Sequence, residues 1–148
     1  MNKIIVINGP NLNMLGIREK KIYGNKSLSS IEEECKDICK INNFLIDFFQ
    51  YNSESEIIEK IQEIRDNYDA LIINAAAFTH TSIAIHDSLK LINFPIIEVH
   101  LSNLSKREDF RQKSLISPLS LGVVYGFGSD VYKIAIYSLK LFWSRNEN

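Results

Sequence analysis

The sequence is short of cysteine, of long apolar runs and of excess charge, and each shortage excludes something. Its only cysteines, Cys35 and Cys39, are too few for a disulfide scaffold. Their spacing within a helical pattern puts them on one helix face, without the further Cys or His that a zinc site needs. They read as small buried residues in a reducing compartment. No stretch approaches the roughly 18 uninterrupted apolar residues of a membrane span, and the opening MNKIIVINGPN runs straight into Gly-Pro-Asn with no secretory h-region. A soluble, cytoplasmic protein is expected. The formal net charge is -1 and the pI near 6.3, so no global positive field would hold a nucleic-acid backbone or an anionic membrane. Linkers, internal repeats and low-complexity segments are missing too.

What is present suits one globular unit. A chain of 148 residues with 45% hydrophobic and 24% charged side chains is expected to fold around one core, as a single catalytic domain over 1–148. Apolar, β-branched runs at 3–7, 44–50, 70–73, 95–99 and 121–125 predict strands, and helix-period segments at 27–41, 53–67, 81–92 and 130–143 fall between or after them. Ser53 with Glu56 three residues later has the pattern of a capping box, and the first helix is expected to open with Ser27 and a Glu-rich first turn. Runs such as IIVI and ALII do not alternate with polar residues, as expected of parallel strands covered by helices on both faces. The predicted fold class is α/β: a flavodoxin-like three-layer sandwich on a five-stranded parallel sheet of order 2-1-3-4-5. Its ligand crevice would lie beyond the C-terminal strand ends.

Polar residues crowd at those ends. NGPNLNMLGIREKKIYG, after the first strand, is far longer than the two to six residues usual for such loops. NAAAFTHTS follows the third strand and HLSNLSKREDFR the fourth. Arginine is scarce, yet three of the five, Arg18, Arg107 and Arg111, fall in these loops. Together the segments bring Asn11, Tyr23, Asn74, His80, Glu98, His100 and Ser102 toward the same edge, a convergence that marks a site. Glu98 and His100 are two apart on one strand and so share a face, where the carboxylate can orient and charge the imidazole. Taken alone, that pair reads better as a structural one; the converging loops reverse the preference.

The runs NGPNLNMLG, IYG, INAAAFTHTS, IIEVHLSN, KREDFR and GVVYGFG, in that order, resemble the successive motifs of type II 3-dehydroquinate dehydratases over nearly the whole chain. The resemblance implies dehydration of 3-dehydroquinate by anti elimination through an enolate, in the shikimate pathway and without cofactor or metal. It also implies a dodecamer built from trimers. Tyr23 matches the family's base. A free phenol titrates near pH ~10, so it needs help to ionise, and Arg18 matches the catalytic arginine that would supply it. His100 matches the proton donor, backed by Glu98. Asn11 matches the position that holds a water against the developing enolate oxygen. For substrate binding, Leu101 and Ser102 match the carboxylate-binding segment, and Asn74, His80 and Arg111 the hydroxyl-binding positions. Asp87 matches a residue that reaches the neighbouring subunit's site in the trimer, and Arg107 resembles a member of the lid and outer polar network.

The sequence departs from the commonest family pattern in places. Ala75 and Ala76 stand where many members have Pro-Gly, Phe78 where Tyr is common, His86 where Arg precedes the aspartate, and Gln112 and Lys113 where a His pair follows the arginine. The alternative reading is a flavodoxin-like flavin- or nucleotide-binding module, but GPNLNMLG lacks the Ser/Thr-rich or GxGxxG form of a phosphate cradle. A receiver-like domain would want an acidic cluster where these strand ends carry Asn, His and Arg.

Overall fold

The computed structural model describes residues 1–17 and 19–147. Five strands, β1 (Lys3–Asn8), β2 (Leu45–Gln50), β3 (Ala70–Asn74), β4 (Ile96–His100) and β5 (Gly122–Tyr125), form one sheet in the order β2-β1-β3-β4-β5. Every pairing is parallel. This is the expected flavodoxin-like sandwich, and the reason is legible residue by residue. Ile4, Val6, Ala70, Ile72, Ile97 and Val99 point to one face, against α2 (Leu28–Ile41) and α5 (Asp130–Asn146). Ile5, Ile7, Leu71, Ile73 and Ile96 point to the other, against α3 (Glu54–Ile64) and α4 (Ile83–Leu89). With both faces buried, alternation disappears and the strands become continuous apolar runs. Cys35 and Cys39 are free and buried within the first of these cores, where burial pushes their thiols up to about 12 and about 11.

Several boundaries differ from expectation. Ser27 caps α2, its Oγ accepting from the Ser30 amide, but the acidic residues lie beyond the first turn. At α3 the capping box does not form: Ser53 Oγ pairs with Ser55 Oγ and makes no cap bond. The helix also stops at Ile64, as the Asn67 amide closes a tighter turn onto the Ile64 carbonyl. The segment expected as a helix from 81 is helical only over Ile83–Leu89, because Ser82 caps it by accepting from the Ile85 amide. The last helix runs on to Asn146.

The long connection after β1 is not featureless. It holds a 3-10 turn (Leu12–Met14) and a one-turn helix, α1 (Lys20–Tyr23). It starts where β1 and β3, neighbours in space, send their chains to opposite faces, the topological switch point at which such sheets bind ligands. Gly9 is required there, since a Cβ on it would lie 2.6 Å from the Ala75 carbonyl oxygen. Ala76, by contrast, takes a left-handed φ of 51° that glycine adopts more readily.

Candidate active site

Beyond the C-terminal strand ends lies a cavity of about 140 Å³, lined among others by Asn11, Tyr23, Asn74, His80, His100, Leu101, Ser102, Arg107 and Arg111. That is smaller than the roughly 300–1,000 Å³ of sites for drug-sized molecules, and fits a small polar ligand.

One wall is β4. His100 Nε2 and Glu98 Oε2 lie 2.5 Å apart, both side chains almost wholly buried. Burial opposes ionisation of Glu98, but hydrogen bonds from His100, Ser117 and Ser114 outweigh it and hold the carboxyl below the usual carboxylate range. Glu98 is therefore an acceptor, so Nε2 carries the proton of the shared bond and Nδ1 is the imidazole nitrogen left to serve the cavity. His80 stacks on His100 with ring centroids 6.3 Å apart. Its Nδ1 lies 2.8 Å from the Lys113 carbonyl oxygen, which can only accept. Burial lowers its pKa, so the ring is neutral at pH 7 with its proton on Nδ1 and Nε2 available as an acceptor.

The floor comes from β1, β3 and α5. Asn74 donates through Nδ2 to the buried Tyr132 hydroxyl at 3.1 Å, and its Oδ1 accepts from the Ala76 amide at 3.2 Å. Tyr132 in turn donates to Asn8 Oδ1 at 2.5 Å. The Asn74 amide is thus set by a chain of buried bonds, with its face toward the cavity.

The opposite wall is the long loop. Asn11 sits at a φ of 68°, a left-handed conformation that Asn tolerates, with its amide donating to Asn52 Oδ1 at 3.0 Å. Tyr23 is half-buried and packs against the core on the α2 side. Across the cavity, Arg107 lies with its guanidinium 5.4 Å from the Tyr23 ring centroid, Nη2 3.3 Å from the phenol oxygen and Nη1 3.0 Å from Ser102 Oγ. Only 12% of that side chain is exposed. Arg107, expected in the lid and outer polar network, thus lines the cavity and reaches the phenol oxygen. Glu108 fixes the adjoining cations, accepting from Arg111 Nε at 2.8 Å and lying 3.4 Å from Arg107 Nε.

Of the residues singled out from sequence, the catalytic candidate Arg18 lies outside the described residues. Asp87 stands apart from this cavity, on α4, 63% exposed and 3.6 Å from Lys90 Nζ. Glu98 lies behind His100 and not on the cavity surface. Sequence reasoning missed Glu108, Tyr132, Ser114 and Ser117. For Tyr132 the signal was a large polar aromatic on the core face of the last helix; the serines carried none beyond lying near the polar loops.

A small cavity with a carboxylate-backed imidazole on one wall, a phenol under a guanidinium on the other and polar side chains between them is that of an acid–base enzyme acting on a small polar substrate. The chain belongs to the dehydroquinase class II family, whose model matches residues 2–140. It is 53% identical over 137 residues to the 3-dehydroquinate dehydratase of Campylobacter lari, covering 93% of this chain and 86% of that one. Over 136 residues it is 53% identical to the Clostridium botulinum (strain Hall) 3-dehydroquinate dehydratase, covering 92% of each. The crystal structure of type II dehydroquinase from Butyrivibrio crossotus superposes with a TM-score of 0.91 at 45% identity, covering 94% of this chain and 97% of that one.

Proposed function

We infer that the chain dehydrates 3-dehydroquinate to 3-dehydroshikimate in the shikimate pathway, with residues 1–148 forming a single catalytic domain. The observation that carries this reading is the pairing, across one cavity, of the Glu98-backed imidazole of His100 with the phenol of Tyr23 beside Arg107.

The substrate's C2 hydrogen lies next to a ketone, so its removal leaves an enolate and needs a base and a stabiliser for the developing oxyanion. Tyr23 acts as phenolate, favoured by the permanent charge of Arg107 and, from the family resemblance, of Arg18. The phenolate oxygen takes the C2 proton and the C–H electrons form the C2–C3 double bond of the enolate. Asn11 holds a water against that oxygen. When the carbonyl reforms, the electrons move to C1–C2 and the C1–O bond breaks. His100, entering this step with a second proton on Nδ1 beside the one that Nε2 shares with Glu98, donates the Nδ1 proton to the departing oxygen, which leaves as water. Tyr23 and His100 both line this cavity from separate segments of the chain, and anti elimination needs them on opposite faces of the bound ring. The substrate carboxylate is held by the Leu101 and Ser102 backbone amides with Ser102 Oγ, and the ring hydroxyls by Asn74, His80 and Arg111.

No amine attacks the ketone in this scheme, so borohydride added with substrate leaves the enzyme active; a covalent adduct found by mass spectrometry would overturn it. We further propose a cytoplasmic dodecamer, a tetramer of trimers, in which Asp87, remote from its own cavity, completes a neighbour's. Light scattering then gives about twelve times 17.0 kDa, and Asp87→Ala weakens activity and association together. A fully active monomer would contradict the assembly.

A further inference from the structure

We propose that Ser114 and Ser117 are positioning residues for the proton donor, a pair of hydroxyls that hold the Glu98 carboxylate in the single orientation that keeps His100 aimed into the cavity. The inference rests on the reading of His100 as that donor.

Glu98 is 1% exposed, and its carboxylate is met by more donors than His100 alone. Ser117 Oγ donates to Oε1 at 2.6 Å, and Ser114 Oγ lies 2.9 Å from Oε1 and 3.0 Å from Oε2. Oε2 is the oxygen that faces His100 Nε2. The Ser114 hydroxyl is itself fully used, since it accepts from the amides of Ile116 and Ser117, both at 3.0 Å. A hydroxyl with two acceptor sites and one donor has no further freedom, so its proton is committed to Glu98. Acceptance of two amides also polarises the O–H and strengthens what it donates.

The segment carrying these serines is pinned independently of Glu98. The Leu115 amide donates to the Thr79 carbonyl at 2.8 Å, and the Lys113 carbonyl fixes His80 Nδ1. One short stretch of backbone thus sets the proton of His80 directly and that of His100 through Glu98. It matters because a second cavity, of about 360 Å³, opens behind Glu98 and is lined by Ser114, Ser117 and Tyr125. Without the serine donors, the carboxylate can rotate toward that polar space and release the imidazole, whose χ2 is otherwise a soft torsion. His80 stacks on His100, and Arg111, Lys113 and Tyr125 line the cavity behind Glu98. The hydrogen bonds of the Glu98 carboxylate come from His100, Ser114 and Ser117, so the serines are its main support besides the imidazole.

Ser117 is the cleaner position to test, because Ser114 also holds two backbone amides. Ser117→Ala lowers kcat about tenfold while KM stays within about twofold, the scale seen when an outer partner of an oriented histidine is removed. Losing a donor also lifts the Glu98 carboxyl toward its ordinary range, which makes it a stronger acceptor for the imidazole proton, so the alkaline limb of the kcat–pH profile moves to higher pH. Ser117→Thr, which keeps the hydroxyl, restores both. Ser114→Ala behaves likewise, with circular dichroism confirming that the variant is folded. A Ser117→Ala enzyme with wild-type kcat and pH profile overturns the proposal, as does a rate loss that Thr fails to restore. A wild-type protein inert toward 3-dehydroquinate would instead refute the function on which the proposal rests.

Discussion

His100 and Glu98 sit on an interior strand, both buried, with a bonding network already complete around them. Tyr23 stands on a one-turn helix within a long loop, half-buried, and a guanidinium contributed from 84 residues away reaches its oxygen. The proposed acid is thus built into the sheet, whereas the proposed base is assembled from two loops. A sheet-borne group keeps its geometry because backbone ladder and core packing fix it, while a loop-borne group depends on side-chain contacts that can be exchanged one at a time. The two halves of the reaction should therefore respond differently to substitution.

The largest effects fall on the two groups proposed to transfer protons. Tyr23→Phe lowers kcat by about 10² or more with substrate binding largely intact, and His100→Ala does the same from the other wall. Steady-state kinetics read both, and an unchanged kcat in either variant removes that residue from its role. An intermediate effect separates the walls. Arg107→Met withdraws charge from the phenol but leaves the Glu98–His100 bond untouched, so kcat falls about tenfold or more, and Arg107→Lys, which keeps the charge, recovers part of it. A loss confined to KM would mean that Arg107 only binds substrate. The smallest effect concerns the scaffold. Ala76 occupies a left-handed conformation, so Ala76→Gly relieves strain but adds unfolded-state freedom, and the net gain is at most about 1 kcal/mol. Thermal unfolding measures it, and a clear destabilisation would show that the methyl group contributes packing.

The same contrast decides what could be read from sequence. The parallel sheet and its order were legible because central strands covered on both faces must be continuously apolar, and because strict alternation with helices leaves few topologies. The Glu98–His100 pairing was legible for a local reason, strand periodicity of two. Other features depended on contacts remote in sequence. Nothing local in KREDFR says that Arg107 turns toward Tyr23, and Ser114 and Ser117 look like ordinary loop serines until the chain folds back on Glu98. The capping box at Ser53 failed because Ser55 offered its hydroxyl a nearer partner. Roles for Asn11, Asp87 and Arg18 came from family resemblance alone, as their chemistry requires a substrate, a neighbouring subunit or a conformation that local pattern does not specify.

The most direct test of the account is an ultraviolet assay of purified protein with 3-dehydroquinate as sole added reactant, following the conjugated enone of the product. The account predicts a steady rise in absorbance without added nucleotide or metal, abolished to within about 1% by Tyr23→Phe. A wild-type protein that gives no rise, or a Tyr23→Phe variant that gives the full rate, would contradict it.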